Sequence, residues 1–350
     1  MTIRELTKPS WLRVSLMVGL ATALAWTGGS TQSEPKNFSI DPWHIFVPEP
    51  VSNPVTSVVE RIPRSSLSAD IIFVEMIDGV YAPIAVMKPA GNGPFPLVVF
   101  AHMNGGQGTQ WLREWLHYGN WTPEQFVDAG YAVAWMRYRA EINNVYGPPL
   151  QERTRQGRQL FNRGPFEYDD AIAIIEYVKT LPYVDRERVG YVGLSHGGEM
   201  LFKIASEYHG LRCGIANEPA AGEYLAVGPR PPGSPQIPET RMNVTEEMQQ
   251  REKEAARARI DMNVAMERIN RIRMPIFVQG RTGDNNQPVF RLSYELAREA
   301  GKQVEWKTYD HAEHGFIFVR RNAQGAYEPD PVQLEVVKDS LAYFDRCLKG

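Results

Sequence analysis

A short apolar stretch, residues 189–194, leads directly into Gly193-Leu194-Ser195-His196-Gly197-Gly198 and then into a helical pattern. Glycines are needed around the serine because a strand that turns this sharply into a helix leaves no space for side chains beside it. Such a turn exposes the Ser195 hydroxyl at the carboxyl edge of a parallel sheet, where ligands bind in open α/β folds. The motif therefore constrains the chain to an α/β architecture with Ser195 at a cleft.

The rest of the sequence fits the same architecture. Short apolar runs alternate with helix-like segments, which is typical of a mostly parallel sheet with helices on both faces. An Asp78-Gly79 turn signal joins the first two strands as a hairpin. The predicted strands are residues 71–76, 81–88, 97–101, 131–136, 189–194, 213–217, 275–279 and 304–309. We therefore predict an eight-stranded sheet.

The N-terminus has the features of an export signal. Basic residues Arg4, Lys8 and Arg13 precede an uncharged run, residues 14–26, that contains Ala23-Leu24-Ala25. The run is shorter than the roughly 20 residues that a membrane-spanning helix needs, and small residues two apart suit signal peptidase. We predict a signal peptide over residues 1–25 and a secreted or periplasmic protein with no stable membrane anchor. A permanent anchor is the alternative.

Two further segments lie outside the strand pattern. Residues 26–68 are rich in proline and serine and predict an extended N-terminal arm before an α/β domain at 69–350. Residues 220–274 are far too long for an ordinary connection after the sixth predicted strand, so we predict an inserted lid. Its second half, after Asn243 and Glu246, has a charged helical pattern. A charged helix that is merely solvated is the alternative.

Composition excludes several classes of function. The chain has 38 Lys and Arg against 41 Asp and Glu, so it lacks the cationic excess of a general nucleic-acid binder. Its two cysteines, Cys213 and Cys347, are too few for a thiolate zinc site and form no C-x-x-C pair. We predict no metal site. Export would permit a disulfide between them, but two buried free thiols are the preferred interpretation.

A serine hydroxyl becomes a nucleophile at neutral pH only when a histidine accepts its proton and a carboxylate orients that histidine. In folds with this serine turn, the acid and then the histidine follow later strands. Asp284 and His314 follow the strands at 275–279 and 304–309 in that order. We predict Ser195, Asp284 and His314 as a catalytic triad.

Each triad partner has a rival. Glu218 follows the strand at 213–217 and is an alternative acid, and Asp284 could be simply a turn residue. His311 lies three residues before His314, but only His314 has the adjacent Gly315 that leaves space for the ring to reach a cleft.

The reaction would also need donors for the oxyanion of the tetrahedral intermediate. The backbone amide of His196, directly after the nucleophile, is the first predicted donor. The second comes from the loop His102-Met103-Asn104-Gly105-Gly106, where we predict Asn104. Met103, or no donor from this loop, is the alternative.

Several motifs resemble one known group of proteins over about residues 70–348. They are Val184-Asp185-Arg186-Glu187-Arg188-Val189-Gly190 leading to the serine turn, Tyr168-Asp169-Asp170-Ala171, Asp284-Asn285-Asn286-Gln287-Pro288 and His314-Gly315-Phe316. In these motifs the sequence is similar to the α/β-hydrolase superfamily, in its dienelactone-hydrolase and prolyl-oligopeptidase branch. The resemblance implies the α/β-hydrolase fold and a serine hydrolase acting on ester or peptide bonds. We expect no cofactor.

The sequence departs from prolyl oligopeptidases in two ways. It has no propeller-length segment, and Asn104 stands where those enzymes tend to use a tyrosine. We therefore prefer a carboxylesterase-like activity on small-molecule esters. The alternatives are a prolyl-oligopeptidase-like aminopeptidase acting on short peptides, and an α/β-hydrolase-fold binding protein without catalysis.

Overall fold

The computed structural model describes residues 57–76, 81–103, 109–136, 164–234 and 244–350. All of them belong to one compact unit. The predicted signal peptide, most of the predicted arm and the predicted oxyanion residue Asn104 lie outside the described residues. Among the described helices, none has both the length and the apolar character needed to cross a bilayer.

The described strands form one sheet in the order β1-β2-β3-β5-β4-β6-β7-β8-β9. Strands β1 to β3 pair in antiparallel fashion and β3 is antiparallel to β5, whereas β5, β4, β6, β7, β8 and β9 run parallel. The strands are β1 (Ser57–Arg61), β2 (Ser68–Glu75), β3 (Tyr81–Met87), β4 (Phe95–Ala101), β5 (Ala132–Met136), β6 (Val184–Leu194), β7 (Cys213–Asn217), β8 (Ile276–Arg281) and β9 (Val304–Tyr309).

Helices cover both faces of this sheet, as the sequence predicts. Alternating residues of β6 face opposite sides: Val189 and Tyr191 join one buried cluster, and Val192 and Leu194 join the other. Helices α3 to α7 contribute to the first cluster, and α1, α2 and α8 to the second. The helices are α1 (Thr109–Tyr118), α2 (Trp121–Asp128), α3 (Gly164–Val178), α4 (His196–Glu207), α5 (Glu246–Arg257), α6 (Met262–Arg271), α7 (Gln287–Glu299) and α8 (Pro331–Phe344).

The sequence predicts eight strands, but the described sheet has nine. Strand β1 lies within the interval assigned to the extended arm, and it pairs with β2 from Ser57↔Ile72 to Arg61↔Ser68. The strand escapes a hydrophobicity pattern because it forms an exposed edge: Val58 and Val59 are 43% and 65% exposed. The insertion consequently follows the seventh strand of the sheet.

In the described part of the insertion, residues 220–234 and 244–274, the predicted charged helical pattern is divided between two helices, α5 and α6. Thr245 is the N-cap of α5 and accepts a hydrogen bond from the amide of Met248, so the helix begins later than the Asn243 pattern indicates. Helix α5 contacts α7, and α6 contacts α4 and α7. Ion pairs Lys253–Glu295 (2.9 Å) and Arg257–Glu299 (3.2 Å) join α5 to α7. Coverage of the cleft by this insertion stays a prediction.

The two cysteines are joined, so the preference for free thiols is wrong in this structure. Cys213 at the start of β7 forms a disulfide with Cys347, with 6.4 Å between their Cα atoms. Cys347 lies in a π-helical turn, Asp345–Lys349, that extends α8. A Cβ on Gly190 of β6 would be 2.5 Å from the ring of Phe344, so this glycine lets the C-terminal helix approach the sheet closely.

Candidate active site

Ser195 occupies the sharp turn between β6 and α4. It has φ 54° and ψ −112°, a conformation that a residue with a side chain adopts only when its surroundings enforce it. Its amide donates to the carbonyl of Asn217 at 3.0 Å, and its carbonyl accepts from the amides of Gly198 at 3.0 Å and Ala220 at 2.8 Å. These bonds fix the serine at the carboxyl edge of the sheet.

The glycines around Ser195 are there for close packing, as the sequence argument requires. A Cβ on Gly197 would lie 2.6 Å from the carbonyl oxygen of Ala101, and one on Gly198 would lie 2.7 Å from Cβ of Pro219. A Cβ on Gly193 would collide with the backbone of Gly197. Side chains at these positions would force the turn open.

His314 lies in the loop after β9, and its Nδ1 contacts two carboxylates. The nitrogen is 3.3 Å from Oε1 of Glu218 and 3.5 Å from Oδ2 of Asp284. The next residue, Gly315, has φ 83°, and a Cβ there would lie 3.0 Å from Cδ2 of Leu194. This loop therefore packs beside the residue that precedes the serine.

Asp284 is fully buried in the turn between β8 and α7. Its Oδ1 accepts from the amide of Asn286 at 2.7 Å and its Oδ2 from Nη2 of Arg281 at 3.0 Å. Burial acts to raise the pKa of Asp284, but the hydrogen bond from His314 and the charge of Arg281 outweigh it and hold that pKa below its ordinary value. The Asp284 carboxylate is therefore ionised over the pH range in which His314 titrates.

Glu218, the rival acid, is fully buried too and lies just after β7. Its Oε1 accepts from Nε of Arg281 at 2.7 Å, and its Oε2 accepts from the amide of Gly315 at 2.6 Å. The structure thus brings both candidate acids to His314 instead of selecting one of them.

Arg281, at the end of β8, is the residue that sequence reasoning missed. Besides its bonds to Glu218 and Asp284, it donates from Nη1 to the carbonyl of Ala312 at 2.9 Å. Its sequence signal was a charged residue two positions after the predicted strand at 275–279 and three positions before the predicted acid. Only strand register shows that it also reaches the end of β7.

The pKa of His314 reflects these neighbours. Burial of the ring acts to lower it, but hydrogen bonds to Asp284 and Glu218 and the charges of the two carboxylates outweigh burial and raise the pKa to about 9. A neutral imidazole, which a general base requires, is therefore the minor form near neutral pH.

The donor atoms of Glu218, Asp284 and His314 lie within 4.8 Å of one another, a spacing that could suit a metal ion. However, the carboxylate oxygens nearest the histidine, Oε1 of Glu218 and Oδ2 of Asp284, already accept from Arg281. A dication there would face a guanidinium at hydrogen-bond distance from its own ligands. The cluster fits a hydrogen-bonded charge network better than a metal site.

The remaining predicted site residues are placed as follows. His196 begins α4, and Nε2 of its buried ring lies 3.0 Å from Oε2 of Glu167, which fits a role for its backbone only. His311 pairs with Asp330 at 2.9 Å and stacks on Phe316, so its ring is used elsewhere. No hydrogen bond between Ser195 and His314 occurs among the described residues, and this contact of the triad stays a prediction.

Taken together, the parallel sheet, the serine turn after β6 and the histidine loop after β9 define the class of α/β-hydrolases. The chain belongs to the prolyl oligopeptidase family, whose model matches residues 116–350. The predicted fold and family resemblance are confirmed, and family membership supports the predicted serine hydrolase.

Individual relatives cover the chain to different extents. A probable dipeptidyl-peptidase 5 of Aspergillus clavatus is 32% identical over 108 residues, which make up 31% of this chain and 13% of that protein. The acylaminoacyl peptidase of Pyrococcus horikoshii is 17% identical with a TM-score of 0.56, covering 81% of this chain and 42% of that one. The esterase Est22 is 15% identical with a TM-score of 0.54, covering 83% of this chain and 82% of that one. The chain thus spans less than half the length of both peptidases.

Proposed function

We propose that this protein is an exported serine hydrolase that cleaves small carboxylic esters through an acyl-enzyme on Ser195. The observation that carries the proposal is His314, which lies with its Nδ1 against buried carboxylates in a loop packed beside the serine turn. With Nδ1–H directed at the carboxylates, Nε2 is the ring atom available to accept a proton from Ser195.

In the proposed reaction, Oγ of Ser195 attacks the ester carbonyl while its proton passes to His314. The amide of His196 and the side chain of Asn104 donate to the oxyanion of the tetrahedral intermediate. Collapse of the intermediate breaks the ester bond, and the imidazolium returns its proton to the leaving alcohol. Water then attacks the acyl-enzyme by the same route, which releases the acid and regenerates the serine.

A peptidase acting on short peptides is the second candidate. The family match over residues 116–350 and the likeness to a dipeptidyl-peptidase and an acylaminoacyl peptidase favour it. The esterase is preferred because Asn104 stands where prolyl oligopeptidases tend to use a tyrosine.

Export of the protein is supported by the disulfide, because disulfides persist mainly in oxidising compartments. N-terminal sequencing of the secreted protein should find Trp26 as the first residue. Retention of residues 1–25 in the mature protein would contradict the predicted signal peptide.

A fluorophosphonate probe tests the catalytic proposal. We expect one adduct per chain on the peptide that contains Ser195, and none in Ser195→Ala or His314→Ala, because the serine reacts only when the histidine accepts its proton. His311→Ala should be labelled like the wild type. Absence of labelling in folded wild-type protein would favour a non-catalytic binding protein.

The substrate class is tested with p-nitrophenyl acyl esters beside aminoacyl p-nitroanilides, and Ser195→Ala serves as the blank. We expect kcat/KM to be higher for the short-chain esters. Faster turnover of the anilides would favour the peptidase.

A further inference from the structure

We propose that two carboxylates, and not one, orient the histidine: Glu218 is a second positioning residue that shares the Nδ1 proton of His314 with Asp284. The inference rests on the proposed hydrolase function and extends it to a residue outside the triad.

The contacts to His314 are nearly equivalent. Its Nδ1 lies 3.3 Å from Glu218 and 3.5 Å from Asp284, and both carboxylates are fully buried. A single N–H between two acceptors at such similar distances can donate to both of them. The ring would therefore keep one acceptor if either acid lost its charge.

The charges around the ring favour the same conclusion. In the described part of the chain, the charged groups in contact with His314 are Glu218, just after β7, and Asp284, in the turn after β8. Arg281, at the end of β8, donates to both carboxylates. One guanidinium balances one carboxylate, so the cluster has a net charge of −1 while the imidazole is neutral. Proton transfer from Ser195 to His314 brings the net charge of the cluster to zero. The second carboxylate thus stabilises the imidazolium that the reaction creates.

Glu218 also fixes the loop that carries the histidine. Its backbone is held at φ 41° and its amide donates to the carbonyl of Gln279 at 2.7 Å. Its Oε2 then accepts from the amide of Gly315 at 2.6 Å. One side chain thus contacts both the ring of His314 and the backbone of the next residue, which is the geometry of a positioning residue.

The test compares Asp284→Asn, Glu218→Gln and the double variant by hydrolysis of p-nitrophenyl acetate over a range of pH. A triad with one acid loses about 10,000-fold in kcat on an Asp-to-Asn change. With two acids, we expect Asp284→Asn to lose less than about 1,000-fold and the double variant to lose about 10,000-fold. In Glu218→Gln, the midpoint of the kcat/KM profile should fall by about one pH unit or more.

Glu252→Gln is the matched control. Glu252 is buried and paired with Arg230 on the insertion, so this change also removes a buried charge from an ion pair. We expect its pH midpoint to equal that of the wild type, because Glu252 does not contact His314. A shift as large as that of Glu218→Gln would show a general effect of lost buried charge and overturn the proposal.

The proposal is also overturned if Asp284→Asn alone loses as much activity as the double variant, or if Glu218→Gln leaves the midpoint unchanged. If Glu218→Gln does not fold, the loss in Asp284→Asn decides: less than about 1,000-fold supports the second acid, and more contradicts it.

An NMR titration of the His314 imidazole separates this proposal from the proposed function. It needs no substrate, so it still applies if the wild-type chain hydrolyses no ester, a result that would contradict the proposed function alone. A pKa lower by about one unit in Glu218→Gln supports the second carboxylate, and an unchanged pKa overturns it.

Discussion

Opposing influences set the pKa of His314. Burial disfavours its charged form, whereas the hydrogen bonds and charges of two carboxylates favour it, and the carboxylates prevail. The consequence for catalysis is a strong base that is mostly protonated near neutral pH. A raised pKa makes the imidazole a stronger base, but it also lowers the fraction of molecules in which the imidazole is neutral at low pH.

We expect kcat/KM for an ester to rise with pH and to reach half its maximum near pH 9. The sign follows from the raised pKa: below about 9 the imidazolium predominates and cannot accept the serine proton, and above it the neutral base predominates. The measurement is a pH profile of initial rates with p-nitrophenyl acetate, corrected for hydrolysis without enzyme. A profile that is already flat between pH 7 and 10 would contradict the raised pKa.

Among the secondary-structure elements, the insertion after β7 is linked to the turn that carries Asp284. Gln249 of α5 is buried, and its Nε2 donates to the carbonyl of Asp284 at 3.3 Å. Its Oε1 accepts from Nε2 of Gln287 at the start of α7 at 3.2 Å. The turn that presents the predicted acid is therefore held from two sides, by α7 and by the insertion.

Replacing Gln249 with alanine should destabilise the protein by about 1–3 kcal/mol, because it leaves buried polar groups of Asp284 and Gln287 without this partner. The measurement is the free energy of unfolding in urea. Gln250→Ala is the matched control: Gln250 is exposed and its side chain donates to Glu254 one turn away, so its loss should stay within about 0.5 kcal/mol. Equal losses in the two variants would refute a buried link.

At the scale of the whole molecule, the disulfide joins residues 134 positions apart and ties the C-terminal turn to β7. Such a cross-link stabilises chiefly by restricting the unfolded chain, and more so for long loops.

Reduction of the wild type should therefore lower the free energy of unfolding by about 2–5 kcal/mol. Urea denaturation with and without dithiothreitol measures the change. The Cys213→Ala/Cys347→Ala variant should resemble the reduced wild type and show no response to dithiothreitol. Two titratable thiols in unreduced, unfolded wild type would contradict the disulfide.

Local rules were sufficient for the serine turn and for the buried strands on either side of it along the chain. The Gly193–Gly198 pattern has a steric cause within a few residues, and buried strands have a clear apolar signal. Strand β1 lacked that signal because its valines are exposed. The disulfide depends on how the last helix packs against the sheet, which no short pattern encodes.

The pairing of both acids with one histidine could not be predicted from sequence either. It depends on register, because Asn217 lies opposite Gln279 in β7 and β8, and Arg281 lies opposite Tyr309 in β8 and β9. This alignment brings the residues that follow each strand to one level of the sheet edge. The sequence offered Glu218 and Asp284 as competitors, and the structure makes them neighbours.

Arg281 links the ends of three strands at that edge of the sheet. Its three nitrogens donate to groups that follow β7, β8 and β9, namely Glu218, Asp284 and Ala312. A guanidinium is flat and its donors have fixed spacing, whereas a lysine ammonium is a single point of attachment. Arg281 thus cross-links the ends of three neighbouring strands, so a displacement of any one of them would be transmitted to the other two.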